Sequence, residues 1–114
     1  MFLANINFPH VVETMRLYPP APLLLRRCDK PYKLPDSDAI LEPGTMVFFP
    51  IYSYHHDAEY FPDPEEFRPE RFLPENREKL VPHTYLPFGE GPRTCIGMYK
   101  QIFGNNQRSI STNN

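Results

Sequence analysis

Proline occupies 15 of the 114 positions of this chain. Each one fixes φ, removes a backbone donor and blocks helix interiors and central strands. A chain punctuated this often holds only short helices and strands joined by irregular segments. It also carries 7 tyrosines and 9 phenylalanines, so it is not a typical disordered chain. Its length allows one small domain at most. It reads as a core-bearing piece whose core lies partly elsewhere. A formal net charge of −2 gives no nucleic-acid footprint. No apolar run approaches the length of a membrane span, and Met1-Phe2-Leu3-Ala4 is too short for a signal peptide. Cys28 and Cys95 could form one disulfide, but nothing marks secretion, and a reduced compartment is the simpler reading.

In chain order, Asn7 is a candidate N-cap with Pro9 inside the first turn. Val11, Val12, Met15 and Leu17 form an apolar stripe at near-helical spacing, and Pro19-Pro20 ends it. Glu13 and Arg16, three apart, share a face of this helix. Leu23-Leu24-Leu25 reads as a buried strand ending in Arg26-Arg27-Cys28. Asp29 to Asp38 is turn-rich. Ile40-Leu41 and Thr45 to Ile51 look β-like, joined by Glu42-Pro43-Gly44 as a small antiparallel hairpin. Tyr52 to Phe61 reads as a short helical turn. His55 and His56 are adjacent, so they point in different directions and make a poor metal pair. Pro69-Glu70-Arg71-Phe72 sits in a charged stretch, and Leu73 to Pro87 is an irregular meander.

The meander delivers the chain to Phe88-Gly89-Glu90-Gly91-Pro92-Arg93-Thr94-Cys95-Ile96-Gly97. Gly89 and Gly91 free the backbone for left-handed turns. A helix starting after Cys95 would aim unpaired N–H groups and a positive dipole end at its sulfur, favouring the thiolate. Arg93 adds a fixed cation nearby. Tyr99, Ile102 and Phe103 permit one or two helical turns, Gly104 ends them, and Asn105 to Asn114 reads as a disordered tail.

The cysteine run resembles the ligand loop of the cytochrome P450 family, Phe-Gly-x-Gly-x-Arg-x-Cys-x-Gly, with every specified position filled. Glu13-Thr14-Met15-Arg16 resembles that family's Glu-x-x-Arg helix, and Pro69-Glu70-Arg71-Phe72 its third motif. The resemblance runs from about Phe8 to Gly97. Arg16-Leu17-Tyr18-Pro19-Pro20 and Leu86 to Gly91 are similar to eukaryotic microsomal members of an insect, xenobiotic-handling branch. Met98 to Gly104 departs from the family's text.

That resemblance implies a mainly irregular α+β fold, the proximal haem side of a partial cytochrome P450 fold. Residues 1–97 would be a C-terminal portion of the domain, and 98–114 a divergent tail. It implies a haem cofactor with Cys95 as axial iron ligand, and Arg93 and Arg26 at the propionates. Phe88 and Gly97 would flank the ligand. Glu13, Arg16 and Arg71 would form a buried structural cluster. The implied activity is insertion of one atom of dioxygen into a lipophilic small molecule. Electrons would come from an NADPH-cytochrome reductase type donor, at the endoplasmic reticulum membrane. The membrane anchor, substrate pocket and oxygen-handling residues of such proteins have no counterpart in this text, so no catalytic residue is assignable and the chain alone is expected to be inactive. The alternatives are a truncated non-catalytic product, a proline-rich interaction module, and a zinc module using Cys28, Cys95 and histidines. The last lacks any paired-ligand spacing.

Overall fold

The computed structural model of the chain describes residues 8–97. The cap expected at Asn7, the helical turns expected after Gly97 and the expected disordered tail lie outside the described residues.

Helix α1 spans Phe8–Leu17 and buries Pro9, Val12, Glu13, Arg16 and Leu17. Those positions recur every three or four residues and so form one face. The N–H of Tyr18 donates to the Thr14 carbonyl at 2.8 Å, closing the last turn before Pro19 stops it.

Four short strands follow: β1 (Leu24–Arg27), β2 (Tyr32–Lys33), β3 (Ile40–Leu41) and β4 (Met46–Phe49). All pairing is antiparallel, but the expected hairpin between Ile40-Leu41 and Thr45–Ile51 does not form. Instead β1 pairs with β4, Leu24 opposite Phe49 and Arg27 opposite Met46. Strand β2 pairs with β3, Tyr32 opposite Leu41. The reason is local. The Leu34 N–H reaches the Ala39 carbonyl at 3.0 Å, closing a tight loop that joins β2 to β3. Strand β4 then finds a four-residue partner in β1, prolonged by the Cys28 N–H to the Thr45 carbonyl at 2.9 Å. The Glu42-Pro43-Gly44 turn therefore passes the chain from one ladder to the other, with Gly44 at φ +89°.

Strand β1 was expected to be buried, and it is buried on one side only. Leu24 and Arg26 are half-buried, while Leu25 is exposed and faces the register of exposed Phe48. A two-stranded ladder covers one face and leaves the other open.

Helix α2 (Ile51–His55) opens the remaining irregular half. The charged stretch forms a 3-10 turn at Pro69–Phe72, and a second one, Pro74–Lys79, lies where an unpatterned meander was expected to begin. Both start at proline, whose missing donor is harmless there. Val12, Phe61 and Phe72 form the apolar centre, flanked by Phe8, Tyr60, Leu80 and Tyr85. Helix α1 packs against the Pro69–Phe72 turn and against α2. Among the described residues no helix is long and apolar enough to cross a membrane.

Candidate functional site

The interior beside that apolar centre is ionic. Glu13 and Arg16 are both fully buried. Their spacing on α1 lets Arg16 fork onto the carboxylate, Nε to Oε2 at 2.9 Å and Nη2 to Oε1 at 2.8 Å. The Arg68 backbone N–H donates to Glu13 Oε1 at 2.9 Å. Arg71 brings its Nε within 3.5 Å of the same oxygen. That approach is close enough for attraction between charges but poorly aligned for a hydrogen bond, and Arg71 Nε has no hydrogen-bond partner among the described residues. Burial, opposed by Glu13, lowers the Arg71 pKa from its usual value. Arg71 also donates through Nη2 to the Asp63 carbonyl at 2.8 Å. Arg16 spends its other donors on distant backbone: Nη1 to the His55 carbonyl at 2.7 Å and Nη2 to the Glu66 carbonyl at 3.1 Å. Its guanidinium lies 5.4 Å from the centre of the Phe61 ring. The structure thus brings Glu13, Arg16 and Arg71 to one point and ties three chain segments there.

His55 is the site residue that sequence reasoning missed. Its ring is fully buried. Nδ1 lies 3.1 Å from the Arg16 carbonyl, and Nε2 lies 3.0 Å from the Leu86 backbone nitrogen. The ring stacks on Tyr85 at 5.3 Å. Burial lowers its pKa to about 4, outweighing the backbone hydrogen bond. The Tyr85 hydroxyl donates to the Val12 carbonyl at 3.0 Å, and burial raises its pKa. The available signal was Ile51, four residues before His55, which puts both on one face of α2.

Leu86 leads into the cysteine loop. The Gly89 N–H donates to the Leu86 carbonyl at 3.2 Å, and the Cys95 N–H to the Phe88 carbonyl at 3.0 Å. Gly89 and Gly91 sit at φ +70° and +82°, which an L side chain adopts only with strain. A Cβ on Gly89 would meet Arg26 Nη2 at 3.5 Å, and one on Gly97 would meet Cys95 Sγ at 3.6 Å. His83 Nδ1 lies 2.7 Å from Glu90 Oε2, tying the loop to the preceding segment. Cys95 is free and exposed. It lines a groove of about 270 Å³ with Leu24, Leu86, Phe88, Gly89 and Arg93. Arg26 gives Nη1 to the Leu25 carbonyl at 3.0 Å, while its Nη2 is buried beside Gly89 with no partner among the described residues. Gly89 thus borders both that nitrogen and the groove lined by Cys95.

Cys28 is also free. Its Sγ lies 2.8 Å from the Lys30 carbonyl at the end of β1. Among the described residues, no three His, Cys, Asp or Glu side chains converge as a metal site would need.

A buried Glu–Arg–Arg cluster wired to a glycine-rich loop that presents one thiol defines a class of scaffold. Comparison with known proteins gives that class its name. The cytochrome P450 family profile matches residues 10–99. The chain is 56% identical over 87 residues to the probable cytochrome P450 6a13 of Drosophila melanogaster, covering 76% of this chain and 18% of that protein. It is 56% identical over 88 residues to cytochrome P450 9e2 of Blattella germanica, covering 76% of this chain and 16% of that protein. Cytochrome P450 6k1 of the same species is 51% identical over 88 residues, 77% of this chain and 17% of that one. The chain belongs to the cytochrome P450 family and is closely similar to insect members. It spans 16 to 18% of the length of these relatives.

Proposed function

We propose that this chain forms the thiolate side of the haem site of a monooxygenase, with Cys95 as the axial ligand of the iron. The observation that carries the reading is the Gly89 turn, which borders both the groove lined by exposed Cys95 and the buried, unpartnered Nη2 of Arg26. A porphyrin with two propionates meets both needs.

In this reading Cys95 supplies the thiolate, and Arg26 and Arg93 hold the propionates. Phe88 packs beside the ligand loop. Gly97 lies beside the ligand, where an added Cβ would make an ordinary contact with Sγ at 3.6 Å. The Glu13–Arg16–Arg71 cluster holds α1 to the segment that leads into the loop. The bound haem supplies activation of dioxygen and insertion of one oxygen atom into an organic substrate. The substrate is a lipophilic small molecule and the electron donor an NADPH-cytochrome reductase type protein. The working location is the cytoplasmic face of the endoplasmic reticulum membrane, with attachment through an N-terminal segment outside these 114 residues.

The test is a chimera in which residues 10–97 replace the matching segment of full-length Blattella germanica cytochrome P450 9e2. Reduced and exposed to carbon monoxide, it should give the Soret band of a thiolate-ligated haem. Cys95→Ser should abolish that band. A band that survives the substitution refutes the ligand assignment.

A further inference from the structure

The hydrogen bonds around His55 leave one arrangement of its protons. A backbone N–H can only donate, so Leu86 N requires a lone pair on His55 Nε2, at 3.0 Å. A backbone carbonyl can only accept, so the Arg16 oxygen, 3.1 Å from Nδ1, requires the proton there. Both demands are met by one neutral tautomer and by no other form of the ring.

The same two contacts join the two halves of the site. Arg16 both donates to the His55 carbonyl and accepts from its ring. Leu86 opens the turn that places Gly89, and Phe88 accepts the Cys95 N–H. We propose that His55, as the Nδ1-protonated tautomer, is a positioning residue that fixes the height of the cysteine loop against the Glu13–Arg16–Arg71 cluster. Its ring acts as a strut: one nitrogen stands on helix α1, the other carries Leu86.

Its surroundings keep the strut neutral. The ring is buried and its pKa is lowered to about 4. The groups facing it are the Arg16 guanidinium from α1, the Tyr85 ring stacked on it and His56 beside it, with Glu13 beyond Arg16. Arg16 and His56 both oppose a positive imidazole. A proton on Nε2 would also point at the Leu86 N–H and release the loop.

This inference rests on the proposed haem site for its consequence, but its test separates the two. In the full 114-residue chain, nitrogen-15 NMR of His55 reports the tautomer. Hydrogen exchange at the Leu86 amide reports the hold on the loop, and neither measurement needs haem. Two substitutions then split the strut. Gln places an amide oxygen near the Nε2 site and can accept from Leu86, whereas Asn reaches only the Nδ1 site. His55→Gln should keep Leu86 protection within about threefold, while His55→Asn should lose about tenfold, the worth of one net hydrogen bond. In the chimera, His55→Asn should retain haem yet convert part of the carbon monoxide band to that of a displaced thiolate, and His55→Gln should largely restore it. A proton found on Nε2, or Asn performing as well as Gln, overturns the proposal. A chimera with His55 intact and no thiolate band refutes the haem reading, and the Leu86 exchange still decides this one. If neither variant folds, wild-type protection at Leu86 no greater than at exposed Ile96 overturns it.

Discussion

Glu13→Ala is the perturbation that weighs the ionic cluster. The carboxylate accepts two short bonds from Arg16 and one from the Arg68 N–H, and it faces Arg71 at 3.5 Å. Truncation leaves Arg16 fully buried with a positive charge and no anion. Breaking a buried pair by removing one partner costs about 3–5 kcal/mol. A second route gives a similar figure: two charge-assisted hydrogen bonds at about 1.5–3 kcal/mol each. A solvent-accessible pair such as Arg68–Asp63, with side chains 40% and 64% exposed, is worth roughly 0–1 kcal/mol by comparison. The assay is guanidinium unfolding of the chimera, read by circular dichroism and by haem absorbance. The midpoint should fall by an amount equal to about 4 kcal/mol, and haem loading should fall far more than substrate preference changes. Because the pair is dry, repeating the unfolding in urea with and without 0.5 M salt should alter the difference little, since screening acts on exposed charges. A loss below about 1 kcal/mol, or one erased by salt, would mean that water reaches the cluster.

Acid should act through His55. Its folded pKa, about 4, lies below the unfolded value near 6.5, so the unfolded chain binds the proton more tightly. The corresponding stability is complete above pH 6.5 and is lost as pH falls towards 4, about 3 kcal/mol in all. Unfolding free energy measured across that window should show the slope, and His55→Gln should flatten it. Equal slopes would assign the titration to another group. Gly89→Ala forces a side chain into φ +70°, which costs about 1–2 kcal/mol. The added Cβ makes only an ordinary contact with Arg26 at 3.5 Å, so Gly91→Ala, at φ +82° in open space, should cost about as much; a far larger loss at Gly89 would mean that the contact dominates. Expressed by itself with haem and a reductase, the 114-residue polypeptide should show no turnover, since it spans 16 to 18% of its relatives' length. Stable one-to-one haem binding with product formation would refute that.

What the sequence made legible was local. The α1 stripe, its stop at Pro19 and the pairing of Glu13 with Arg16 follow from helical spacing, which needs no knowledge of the rest of the chain. Strand partners do not. Ile40-Leu41 had one β-like neighbour in Thr45 to Ile51, yet it pairs with Tyr32-Lys33, inside a stretch read as turn-rich, through a six-residue loop closed by the Leu34 and Ala39 backbones. Turn residues such as Asp36 and Ser37 marked the loop, but not which strands its backbone bonds would join. His55 was hidden for the same reason: its three partners, at Arg16 and Leu86, are main-chain or shared with main chain. Adjacent histidines drew attention to metal binding, a question about side chains, while the answer lay in the backbone.

The composition of the interior explains why such contacts govern this chain. Its largest fully buried side chains are Arg16, Phe61, Ile51, His55 and Glu13, so most of them can ionise. Apolar burial is non-directional and tolerates sliding. Hydrogen bonds from a planar guanidinium do not, because each donor has a fixed heading. Arg16 sends its donors to residues 13, 55 and 66, three separate stretches of chain. Only one mutual placement of those stretches satisfies all of them, and His55 extends the same constraint to Leu86. Strands of two to four residues and a few buried apolar side chains could not set the position of a loop thiol so narrowly. The buried charges therefore supply what the short elements lack, a single register between the helix and the cysteine loop.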